Sequence, residues 1–249
     1  AVTYALWAWA SICAFPRLWP LVLAYPGALL AAGHAQTGLL TGALLVLAAH
    51  SLAQRPALSG AAIGALVVKP HLAVLTPFWL AMGGKWRAIV AAGASVLGLL
   101  AASWLVFGTD TMAGYTTSWE ASRAIMGERS DDFFLRMVTF YSQVRHWTGE
   151  GPAMVAGALS GLAALAAAML AWRKSGGDVR ASASTMLAAT ALASPYLFNY
   201  DLPFLIFPTL WLVEQGLERG FRPYEKLGLV ALWFAPYATR AATLPLEVN

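Results

Sequence analysis

The chain has 249 residues, 59% of them hydrophobic and 11% charged, with 16 Lys and Arg against 12 Asp and Glu. A soluble domain carries about a quarter charged residues, so the composition excludes an ordinary water-soluble globule and points to a lipid environment. A single cysteine, Cys13, excludes a disulfide framework, and the small basic excess sits in short connections rather than in a stripe, which excludes nucleic acid as a partner.

Several apolar runs approach the ~20 residues that cross a bilayer. Residues 1–15 read as the tail of a membrane helix whose start is missing, so the sequence is expected to be an N-terminally truncated fragment. Residues 18–32 are broken by Pro20 and Pro26 into a short or re-entrant piece. The polar turn Gly33-His34-Ala35-Gln36-Thr37 leads into the run 38–53, which ends at the basic turn Gln54-Arg55-Pro56. The next stretch, 57–82, is interrupted in its middle by Lys69-Pro70-His71. A charge at the centre of a membrane helix costs roughly 2.5–3.5 kcal/mol on insertion scales, and Pro70 removes a backbone donor besides. Such a defect is expected to meet something polar, here an anionic group at the membrane edge. The plainer alternative is a lysine that snorkels to the headgroups.

The runs 86–107, 153–172, 181–198, 202–213 and 227–240 complete the set. Trp86, Trp104, Trp172 and Trp211 sit near run ends, as an interfacial belt does. Gly38/Gly42, Gly60/Gly64 and Gly157/Gly161 predict close helix contacts. The long connection 108–152 mixes Arg123, Arg129, Arg136 and Arg145 with Asp110, Glu120, Glu128, Asp131, Asp132 and Glu150. Within it, 132–147 has apolar residues at helical spacing and predicts an amphipathic helix at an interface. The expected fold is all-α: one integral membrane domain over 1–249, a polytopic bundle with short and broken helices and one larger external loop, 108–152.

The connections 54–56, 83–87, 173–180 and 215–226 are basic, whereas 33–37 and 194–201 hold no Lys or Arg. By the positive-inside rule the first set is cytoplasmic and the second external. The alternation closes only if 57–82 begins and ends on the same side, as two half-helices hinged at Lys69-Pro70. A single kinked helix would invert every later connection.

That topology gathers His34, Gln36, Lys69, His71, Arg145, Tyr196, Asn199, Tyr200 and Asp201 on the outer side, and the large loop adds Arg136, Tyr141, Gln143 and His146. Each has a plainer reading: His34 and Gln36 as helix caps, Asp201 as the cap of a helix from Leu202, Arg145 as a partner of Glu150 or of lipid phosphate. Together, cations beside an apolar crevice suit a lipid phosphate, and Tyr, Asn and Asp suit a sugar. When a glycosyl group leaves a phosphate, fixed donors must meet the developing charge and a carboxylate must take the hydroxyl proton. Asp201 is a candidate for that base, weakened by its capping position. No zinc-ligand spacing or phosphate loop appears, so neither metal nor cofactor is expected.

Gly33-His34-Ala35-Gln36-Thr37-Gly38 resembles the Gly-Gln segment of glycosyltransferase family 87, and Arg55-Pro56 followed by Val68-Lys69-Pro70-His71 resembles its Arg-Pro to Lys-Pro run. The stretches 137–145 and 194–202 look like motifs of its bacterial members, so the resemblance covers nearly the whole chain. It implies a GT-C membrane glycosyltransferase of the bacterial inner membrane. Such an enzyme moves a hexose, commonly mannose, from a polyprenyl-phosphate donor to a lipid or glycan acceptor on the external face. It also implies a catalytic aspartate in a first external loop upstream of Ala1. The inserted Ala35, and His71 where a Gln is common, leave the donor open. Other readings of the same residues are a transporter or flippase for an amphipathic anionic lipid, and a noncatalytic assembly subunit.

Overall fold

Proline decides where several of the helices start. The computed structural model describes residues 1–128 and 131–247, with side chains outside 116, 119, 122–132 and 244. The side chains of Arg123, Glu128, Arg129, Asp131 and Asp132, which belong to the expected outer loop, therefore lie outside the described set. Helix α1 (Val2–Ala14) is followed by a 3-10 turn, Pro16–Leu18, then α2 (Trp19–Leu23) and α3 (Pro26–Gly33). Pro20 and Pro26 stand in the first turns of α2 and α3, where a missing N–H loses no bond. Helix α4 (Gly38–Ser51) precedes α5 (Pro56–Gly64), which also opens on its proline.

The 57–82 stretch breaks where the sequence predicts. A 3-10 turn, Ala65–Val68, runs into Lys69 at φ −144, ψ 71 and a second turn, Pro70–Ala73, before α6 (Thr76–Met82). A residue before proline is driven out of the helical region, so Lys69-Pro70 is a built-in hinge. Helix α7 (Trp86–Glu128) bends at Gly108 (φ 77, ψ 173). The 108–152 connection is thus largely helical: the end of α7, then α8 (Asp131–Leu135) and α9 (Phe140–Thr148), the latter inside the expected amphipathic stretch. Helices α10 (Glu150–Lys174) and α11 (Val179–Ala193) follow. The 181–198 run stops being helical at Ala193, because Ser194 precedes Pro195 and takes an extended conformation (φ −73, ψ 123). The chain then passes Met137 and Val138, accepting a 2.8 Å bond at Leu197 O, into a 3-10 segment, Asn199–Leu205. Helices α12 (Ile206–Arg219) and α13 (Glu225–Leu246) close the order. Among the described residues the chain is all-helical.

Glycine contacts fix how the hinge is folded. A Cβ on Gly60 would overlap the Ala88 carbonyl, and one on Gly64 would overlap that of Ala92. Ser95 Oγ donates to Ala61 O at 3.0 Å. Residue numbers rise together in both helices, so α5 and α7 run parallel from the same end. The intervening 57–82 segment has therefore gone out and come back, as the alternation of connections requires.

The connections sort to two ends. At one, Arg180 reaches Ala14 O (3.3 Å) and Glu214 (2.8 Å), Arg55 and Arg180 both act on His50, and Gly83 abuts Trp172. At the other lie the start of α4, the Lys69 hinge, the Asn199–Leu205 turn and the start of α10 beside Arg145. The core between them is built on Trp7, Phe15, Tyr25, Leu45, Leu52, Phe204 and Phe207, all fully buried. Among the described residues two helical stretches, Trp86–Tyr115 and Glu150–Lys174, are long and apolar enough to cross a membrane; Val2–Ala14 and Gly38–Ser51 are apolar but shorter. Fewer spans meet that length than the apolar runs in the sequence suggest.

Candidate active site at the end opposite the basic connections

The Asn199–Leu205 turn organises this end. It sits on α4 because Gly38 has no side chain: a Cβ there would overlap the Tyr200 carbonyl. Trp7 Nε1 donates to Pro203 O at 3.1 Å and holds the turn against α1. Asp201 is fully buried, and its two oxygens are engaged. Oδ2 accepts the Phe198 N–H at 3.3 Å from the third position of a segment that begins at Asn199, a reciprocal capping contact in place of the expected cap of a helix from Leu202. Oδ1 lies 2.5 Å from Lys69 Nζ.

Lys69 therefore meets its anion inside the protein. The hinge tip is tied to a turn 132 residues away, and its ammonium also lies 5.3 Å from the centre of the Tyr200 ring. Burial first, then the Asp201 carboxylate and Tyr196, push the Tyr200 phenol above its ordinary value, so it stays a neutral hydrogen-bonding group at physiological pH.

A cavity of about 350 Å³ opens over the turn. His34, Tyr196, Asn199 and Tyr200 line it, together with Phe133, Phe198, Arg136, Arg240 and Thr243. Phe198 is the hub of its aromatic wall: it stacks on Tyr200 (5.1 Å, 8°) and meets Tyr196 (5.2 Å) and Phe133 (5.7 Å) edge-on. His34 lies 5.4 Å from the Tyr200 ring, and its Nδ1 donates to Leu30 O at 2.8 Å in the matching tautomer, which is a helix-end role. Asn199 is 5% exposed, and its amide makes no hydrogen bond among the described residues. Such a set offers ring faces for stacking, an amide for a hydroxyl and guanidinium groups for an anion.

The other expected residues stand apart from the cavity. His71 packs edge-on to Tyr196 (5.7 Å), with its buried Nε2 lacking a partner among the described residues. Gln36 is exposed beside Ala35, whose φ of 51 is unusual for a side-chain-bearing residue. Arg145 is occupied: it donates to Tyr141 Oη (2.9 Å), pairs with Glu150 (3.4 Å) and covers Phe134 (4.0 Å). Reading the sequence passes over Arg240 and Thr243, and brings Arg136 to the outer cluster only as one of several loop residues. The available signal is their sidedness, since both arginines sit away from the end where the basic connections collect.

No curated protein and no solved structure matches the chain. The profile of glycosyltransferase family 87 matches residues 1–195, well over half of it. The matched span takes in His34, Gln36, the Lys69 hinge, His71 and Arg145, and stops short of Tyr196, Asn199, Tyr200 and Asp201. With its reach across the broken 57–82 segment and both long apolar helices, this match makes the chain a member of glycosyltransferase family 87, and so of a family of sugar-transferring enzymes.

Proposed function

We propose that the chain is a polytopic membrane glycosyltransferase that moves a hexose, mannose in the first instance, from a polyprenyl-phosphate donor to a lipid or glycan acceptor. The observation that carries this reading is the cavity of about 350 Å³ in which Arg136 and Arg240 face an aromatic wall and the Asn199 amide. Family membership supports transfer over transport or a purely assembling role. The membrane setting draws support from α7, where Leu97, Leu105, Val106 and Phe107 are largely exposed. In water such a surface is an interaction patch; in hydrocarbon it has no cost.

In this reading the chain forms one membrane unit over 1–249 in the bacterial inner membrane, with the basic connections cytoplasmic and the cavity external. The acceptor hydroxyl attacks the anomeric carbon, the bond from that carbon to the phosphate oxygen breaks with its electron pair leaving on the phosphate, and the hydroxyl proton passes to a base or to the departing phosphate. Cations at the cavity stabilise that charge as it develops. His34, Asn199, Tyr196 and Tyr200 orient the sugar, and Gln36, His71 and Arg145 support the surrounding surface. Asp201, engaged by Lys69 and Phe198, holds the turn in place; acting as the base would require it to release Lys69.

The test uses purified protein with labelled polyprenyl-phosphate mannose and a mixed lipid acceptor extract. Label is expected to move to the acceptor fraction without any nucleotide sugar. Transfer only when a nucleotide sugar is supplied would overturn the donor assignment.

A further inference from the structure

We infer that Arg136 and Arg240 together form the seat for the donor's phosphate, and that Lys69, despite its place in the apolar run, is not an anion ligand. The inference deepens the proposed function and rests on it. Arg136 lies between α8 and α9 and Arg240 on α13, yet both line one cavity. Both are exposed, and neither makes an ion pair among the described residues. Among the described residues the cavity lining holds no carboxylate, so the two guanidinium groups face a shared space with no described group of opposite sign in it. Like charges so placed repel, and an anion between them turns that repulsion into two attractions.

A second observation points to an occupant independently. The Asn199 amide, 5% exposed and lining the same cavity, lacks a hydrogen-bond partner among the described residues. The amide is open to the cavity, where it presents a donor and an acceptor to an occupant. Tyr196, Phe198 and Tyr200 supply ring faces beside it, which suits the carbon face of a pyranose. Lys69, by contrast, is neutralised at 2.5 Å by Asp201, and an approaching phosphate meets a pair of net charge zero. The ligand class is a phosphate ester bearing a sugar, from a lipid or from a soluble source.

Binding separates the possibilities. The purified chain in detergent is titrated with farnesyl phosphate, farnesol and mannose 1-phosphate, using native protein, Arg136→Gln, Arg240→Gln, the double variant, and Arg222→Gln at the opposite end. Farnesyl phosphate should bind the native chain and lose about tenfold in affinity with each cavity substitution and about a hundredfold with both, tenfold being about 1.4 kcal/mol. Farnesol binding and the Arg222 variant should be unchanged. Unaltered farnesyl phosphate binding by the double variant overturns the seat and leaves the transfer reading intact. Native binding of mannose 1-phosphate but not farnesyl phosphate, lost in the double variant, upholds the seat and removes the polyprenyl donor. Binding of neither phosphate by the native chain overturns the seat.

Discussion

A fully buried carboxylate persists only where a cation and hydrogen-bond donors meet it, and Asp201 has one of each, in Lys69 and the Phe198 N–H. Removing one partner strands the other charge. Lys69→Met is therefore expected to destabilise the protein by about 3–5 kcal/mol, the range for breaking a buried pair. Lys69→Met combined with Asp201→Asn should recover most of that loss, because no charge is left buried and the Asn carbonyl still accepts the Phe198 N–H. Melting curves in detergent for the two singles and the double check this; losses that simply add would show that the pair is not coupled. The lysine is legible in the sequence as a charge inside an apolar run. Its partner is not, since Asp201 reads locally as an ordinary cap and the two are 132 residues apart.

Close helix contacts make the glycines of α5 and α7 unequal. Gly60 faces the Ala88 carbonyl at a distance no Cβ tolerates, while Gly98 on α7 has open space around it. Gly98→Ala should stabilise by about 0.5–1 kcal/mol through a better helix former. Gly60→Ala should destabilise by about 1–3 kcal/mol, because backbone must shift to admit the methyl group. Opposite shifts in melting temperature are the expected result, and equal shifts would refute the parallel seating of α5 on α7. Element boundaries follow the proline code well at Pro20, Pro26, Pro56 and Pro70, where a local rule acts on backbone alone. They follow hydropathy less well at 194–198, where Leu197 and Phe198 stay buried but leave the helix to pack beside Met137 and Val138. Hydropathy reports burial there, and burial does not specify helix.

For the whole molecule, the segregation of connections to two ends is legible because each connection's composition carries the signal independently. The cavity is harder to foresee, since Arg136 and Arg240 come together only through the packing of α8 and α13 around the Asn199–Leu205 turn. Sidedness can be measured with Cys13→Ala, which removes the native thiol. In that background, Gln36→Cys and Arg136→Cys should react with an impermeant reagent in intact cells, and Arg87→Cys and Arg173→Cys only after permeabilisation; the reverse pattern would invert the orientation. The out-and-back path of 57–82 adds a constraint on such experiments. Because α5 and α7 set out from the same end, that segment contributes nothing to the parity of the chain's winding. Excising or duplicating it leaves every later helix with its original polarity, whereas losing one through-running helix such as α10 reverses all that follow. The hinge is thus neutral in topology but not in energy: it leaves the frame's orientation alone while Lys69 and Gly60 hold it to Asp201 and α7.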